Sequence, residues 1–87
     1  MGKYEKLIAK ILSAKSDGNI DFEQLRSLLA RFSFQERVKG SHHIFFKEGI
    51  NEIINIQAKN NKAKAYQVKQ VRLLITKYKL DIKEDEA

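Results

Sequence analysis

Cysteine is missing from the sequence, which excludes a disulfide scaffold, thiolate zinc sites and cysteine catalysis. Proline is missing too, and glycine occurs only four times, so a collagen-like repeat and proline-rich disorder are both excluded. No apolar run reaches the roughly eighteen residues of a membrane span, and no apolar signal segment follows the basic start. No membrane partner is expected, and the expected location is cytoplasmic. What is present is 87 residues, 43% hydrophobic and 32% charged. That suffices for one small domain with a thin core.

Charge is the first positive signal. Seventeen Lys and Arg outnumber eleven Asp and Glu, for a net +6. Such a surplus favours a polyanionic partner, nucleic acid before acidic protein. It is also concentrated. Between Ala58 and Leu80 stand Lys59, Lys62, Lys64, Lys69, Arg72, Lys77 and Lys79, with no acid among them. A lysine-rich helix is often just a solvated face, but an acid-free stretch this long points to phosphate contact. The last residues reverse sign, with Asp81, Glu84, Asp85 and Glu86 against Lys83.

Periodicity organises the chain. Tyr4, Leu7, Ile8, Ile11 and Leu12 form one helical stripe, which must be buried somewhere and is expected to pack on its own domain. Breakers over Ser13–Asn19 end that helix. Asp21 is a good N-cap, with Gln24 three residues on and an Ile20/Leu25 staple. A second helix follows over about 22–32, burying Phe22, Leu25, Leu28, Leu29 and Phe32. Alternation then takes over. Phe34, Glu36 and Val38 alternate with Gln35, Arg37 and Lys39, and Gly40 supplies a turn. Ser41–Lys47 is a second strand, Lys47–Asn51 a hairpin loop around Gly49, and Glu52–Gln57 a third strand with Ile54 and Ile56 on one face. Asn60–Lys64 reads as a polar connection. A last helix spans about Ala65–Lys79, with Val68, Val71, Leu74, Ile75 and Tyr78 inward. The expected fold is an α+β two-layer sandwich: N-terminal helix and linker over 1–19, main domain over 20–80, and an acidic tail over 81–87 that frays.

The chemistry-bearing residues are few. The only two histidines, His42 and His43, are adjacent at a strand start after Gly40 and Ser41. Neighbouring strand side chains point to opposite faces, so at most one ring faces the core. Parity alone does not choose between them. Arg37, Lys39 and Lys47 lie on the adjoining strands, and cationic neighbours favour the base form of an imidazole. One such base and a cationic surround suffice for RNA cleavage, because RNA carries its own nucleophile. Removing the 2′-hydroxyl proton lets that oxygen attack the adjacent phosphorus, leaving a cyclic phosphate and a free 5′-hydroxyl. General-base help is worth roughly 10²–10⁴-fold, and lysine or arginine stabilises the developing charge. No metal or other cofactor is expected: His-His neighbours on a strand diverge, and there is no phosphate-loop motif. Ser41 beside His42 lacks a third triad member. The five phenylalanines are mostly core by spacing rather than a base-stacking platform.

The stretch LRSLLARFSFQERVKGSHHIFF (residues 25–46), then a hairpin, an Ile-rich strand and a basic helix, resembles the HicA toxin family. The specific part is Gly40-Ser41-His42 with Phe45 three residues after the histidine. Tyr66–Arg72 fits the family's last helix. The likeness covers about residues 21–80 and leaves the first helix as an addition. It implies a double-stranded-RNA-binding-like fold, helix, three antiparallel strands, helix. It also implies the toxin of a type II toxin–antitoxin pair, an mRNA interferase that arrests growth and is covered by a HicB-type antitoxin. The family's histidine most often matches His42, and His43 in some members. If Phe45 is core, His42 faces the open side of the sheet. Two positions depart from the pattern. Ser33 stands where a glycine is usual, and Ala65 where a proline is frequent.

The expected RNA-binding set is Arg37, Lys39, Ser41, Lys47, Lys59, Lys62, Lys64 and Lys69, with Tyr66 and Lys39 as possible acids. The expected assembly is a monomer or a toxin–antitoxin hetero-oligomer. The competing reading is a non-catalytic RNA-binding domain using Lys59, Lys62, Lys64 and Lys69 near a helix start. A helix-turn-helix DNA binder ranks third, since SAKSDGNID is too long for its turn.

Overall fold

A computed structural model describes residues 2–82. The N-terminal stripe forms α1 (Lys3–Ser13). It buries Leu7 and Ile11 in the common core, with Tyr4 and Ile8 packed against it, so this helix lies on its own chain. Leu12 stays 46% exposed. After a 3-10 turn at Asp17–Asn19, α2 (Phe22–Arg31) starts where its cap implies. An Asp21 carboxylate oxygen accepts from the Gln24 N–H at 3.0 Å, a cap worth on the order of 1 kcal/mol.

The end of α2 is a Schellman turn. The Ser33 N–H reaches the Ala30 carbonyl at 2.9 Å, and the Phe34 N–H reaches the Leu29 carbonyl at 3.0 Å. This closure puts Ser33 in the left-handed region, at φ +74°. The serine that replaces the expected glycine adopts the glycine conformation, at a steric cost that glycine would not incur.

Three strands follow: β1 (Gln35–Lys39), β2 (His42–Lys47) and β3 (Ile50–Ile56). They form an antiparallel meander in the order β1-β2-β3. Register fixes the faces. Phe45 lies opposite Glu36 and Ile54, and His43 opposite Val38 and Ile56. On the other side Ile44 lies opposite Arg37 and Asn55, and His42 opposite Lys39. Phe45, Ile54 and Ile56 are completely buried, so their face is the inner one and the His42 face is open.

The segment expected as a connection is a second, two-stranded sheet. Here β4 (Ala58–Lys59) pairs with β5 (Lys62–Ala63) across Asn60 and Asn61, both at positive φ. Asparagine tolerates that region better than most residues. The hairpin is stitched to the start of α2, since the Ala63 N–H donates to the Ile20 carbonyl at 2.9 Å and the Phe22 N–H to the Asn61 carbonyl at 3.0 Å.

Helix α3 (Ala65–Tyr78) closes the fold. Val68, Val71, Leu74 and Ile75 join the core, and Tyr78 packs partly against it. Arg72 does not face solvent as a phosphate contact would. It makes two bonds to the Asp17 carboxylate, at 2.8 and 3.1 Å, and one to the Ile11 carbonyl at 3.0 Å. The result is a small α+β fold of three helices, a three-stranded antiparallel sheet and a small second sheet. One helical layer and one sheet face enclose a single core, in which each fully buried aliphatic or aromatic side chain is worth about 1.5–3 kcal/mol. Among the described residues no helix is long and apolar enough to cross a membrane. The tail expectation for residues 83–87 lies outside the described residues.

Candidate functional site

The two histidines divide as parity requires. His43 points inward near the start of the central strand. Its Nδ1 lies 2.6 Å from Glu36 Oε2, and its ring meets the Phe22 ring edge-on at 5.0 Å. The same Glu36 oxygen accepts from Arg26 Nε at 2.7 Å. Desolvation works to raise the Glu36 carboxyl, but the bonds from Arg26 and His43 outweigh it and hold it below its ordinary value. With its side chain only 17% exposed, His43 serves as a strut between β2, β1 and α2.

His42 is exposed on the open face. Gly40, at φ +61°, makes the turn that starts its strand; a Cβ there would meet open space, so the demand on this residue is conformational. A directional set of contacts surrounds the ring. Lys64 Nζ donates to Gln57 Oε1 at 3.3 Å. An ammonium group can only donate, so the Gln57 amide must turn its NH₂ the other way. That NH₂ lies 3.3 Å from both His42 Nε2 and Ser41 Oγ. His42 Nε2 then accepts, and Nδ1–H donates to Asn55 Oδ1 at 3.2 Å. The pattern is complete with an imidazole that carries its hydrogen on Nδ1 and accepts from the Gln57 amide at Nε2.

The cationic residues fall into groups. Lys39 is exposed opposite His42, and Lys64 is tied to it through Gln57. Lys59, Lys62 and Lys64 line an open groove of about 540 Å³ between the β4–β5 hairpin and the start of α3, with Tyr66 at its wall and 63% exposed. Lys69 is exposed on α3. The Asp17 carboxyl is held low chiefly by its bonds from Arg72, with Lys69 adding a weaker pull. Arg37 lies over the Phe46 ring, 5.9 Å from its centre. With Ile44 and the 60% exposed Ile53 they line a shallow apolar depression on the open face. Lys47 stands apart, because its Nζ donates to the Phe32 carbonyl at 2.7 Å and neutralises the C-terminal end of α2. Of the seven bases between Ala58 and Leu80, Arg72 and Lys77 are bound to Asp17 and Glu52. Among the described residues no three His, Asp or Glu side chains gather as a metal ligand set.

Comparisons with family models, curated proteins and solved structures return no match.

Three residues of the site escaped the sequence reading: Asn55, Gln57 and Gln67. The first two carried a usable signal. Once Ile54 and Ile56 are core, alternation puts Asn55 and Gln57 on the open face with His42. Gln67 also had one, as it stands four residues before Val71 and seven before Leu74, on the inward stripe of α3.

Proposed function

We propose that this chain is a metal-independent ribonuclease toxin of the HicA type, with His42 as general base. The observation that carries the proposal is the exposed His42, its Nε2 turned toward the Gln57 amide and flanked by Lys39 and Lys64. An RNA 2′-hydroxyl replaces the amide at Nε2. His42 takes its proton, the 2′-oxygen bonds to phosphorus, and the P–O5′ bond breaks. The departing 5′-oxygen receives a proton from an acid, for which Tyr66 and Lys39 are the candidates. The Asn55 carbonyl keeps its bond to Nδ1–H throughout and stabilises the imidazolium that forms. Lys64, released from Gln57, meets the phosphate charge.

The order α2, three antiparallel strands, α3 supports a double-stranded-RNA-binding-like assignment. Lys59, Lys62 and Lys64 then follow a phosphate backbone, and mRNA in the cytoplasm is the substrate. A HicB-type antitoxin would cover the open face, offering carboxylates to Lys39 and Arg37 and apolar side chains to Ile44, Phe46 and Ile53.

The test is incubation of labelled RNA with the chain in chelator-containing buffer. The wild type should yield cyclic-phosphate ends, and His42→Ala should lose roughly 10²-fold or more of the rate while still binding. Equal cleavage by His42→Ala overturns the assignment. The lysine groove favours one alternative, a non-catalytic RNA-binding domain. Tight binding by a wild type that never cleaves would establish that reading instead.

A further inference from the structure

One polar side chain, Gln67, is 1% exposed within an otherwise apolar core. Its Oε1 accepts two backbone N–H groups, that of Lys64 at 3.2 Å and that of Gln57 at 3.3 Å. These are the residues whose side chains meet beside His42. A single buried amide thus joins the end of β3 to the start of α3 where both point their side chains at the site. Its oxygen, buried and bonded to both N–H groups, holds these two backbones in one arrangement.

We propose that Gln67 is a positioning residue that sets the tautomer of His42. Held by Gln67, the backbones of Gln57 and Lys64 keep the Lys64–Gln57 contact in place. That contact orients the Gln57 amide, and the amide donates to His42 Nε2. Nε2 is left as the acceptor and Nδ1 carries the hydrogen toward Asn55. Free histidine prefers the opposite tautomer, with hydrogen on Nε2, which has no lone pair there for a 2′-hydroxyl. The link to RNA cleavage rests on His42 being the base; the tautomer assignment does not.

The experiment is imidazole nitrogen NMR on the free protein, comparing wild type, Gln67→Met, Gln67→Glu and Gln57→Leu. His43 is the internal control, because Glu36 and not Gln67 holds it. The wild type should show His42 protonated at Nδ1. Gln67→Met and Gln57→Leu should move His42 toward the Nε2–H form and leave His43 unmoved. Gln67→Glu keeps an acceptor oxygen and should keep the wild-type signature. In cleavage assays Gln67→Met should lower kcat about tenfold or more at unchanged KM, the pattern of a misplaced group. An unchanged His42 signature in Gln67→Met, or a shift of both histidines together, overturns the proposal. Gln57→Leu leaves the core untouched and decides the matter if the Gln67 variant does not fold, an unchanged His42 signature there again overturning it. A wild type with the Nδ1–H signature and no cleavage refutes the ribonuclease reading alone.

Discussion

Replacing Ser33 by glycine should stabilise the protein. Ser33 sits at φ +74° in the Schellman turn that ends α2. Holding an L-residue with a Cβ in that region costs about 1–2 kcal/mol. Glycine removes this cost but adds freedom to the unfolded chain, a loss of about 0.4–1 kcal/mol. The difference leaves a gain of about 1 kcal/mol. For a domain of this size that corresponds to a rise of about 4–8 °C in Tm. Ser33→Ala is the control, since it keeps the Cβ and its strain and should leave Tm nearly unchanged. Thermal and urea melts followed by circular dichroism read the effect. Ser33 is exposed and lies far in register from His42, so RNA cleavage should not change. A Ser33→Gly variant no more stable than Ser33→Ala would show that no left-handed strain is stored at this junction.

Acid should weaken the fold partly through Glu52. Its carboxylate accepts from Lys77 at 2.7 Å and Tyr78 at 2.6 Å, and these bonds hold its pKa at about 2 against an ordinary 4.5. Stability from this group is present above about 4.5 and is lost as pH falls through about 2. Glu52→Gln should therefore show a flatter fall of Tm across that window, and parallel curves would refute the linkage. Phe45→Ala, at a completely buried site, should cost about 3–5 kcal/mol in urea melts, and a loss under about 1 kcal/mol would contradict its core role. Lys59→Ala and Lys62→Ala should each weaken RNA binding with little regard to sequence and reduce the salt slope by about one. Slopes equal to wild type would remove the groove from the interface.

Much of this architecture was legible because its signals are local and periodic. The α1 stripe, the Asp21 cap and the inward Val68, Val71, Leu74 and Ile75 follow from spacing alone. The exposed position of His42 followed once Phe45 was assigned to the core. The β4–β5 hairpin was not legible, since strands of two residues have no period to read and Asn60-Asn61 is a weaker turn signal than Asn-Gly. The fates of Arg72 and Lys47 were also hidden. A basic residue on a helix or strand has the same local pattern whether it meets a phosphate, Asp17 or the end of α2. Only tertiary placement distinguishes them. The role of Gln67 is hidden because a lone polar residue in an apolar stripe resembles a boundary, and its partners are backbone groups that no sequence displays.

The stitching of the Asn60-Asn61 hairpin onto Ile20 and Phe22 has a kinetic side. The meander between them joins near neighbours and closes cheaply, whereas this seam unites segments about forty residues apart, a slower event. A nascent chain emerging from its ribosome has no lysine-lined cleft until its final third is synthesised. Under the proposed function, RNA binding would thus be switched on by completion of folding, rather than growing as translation proceeds.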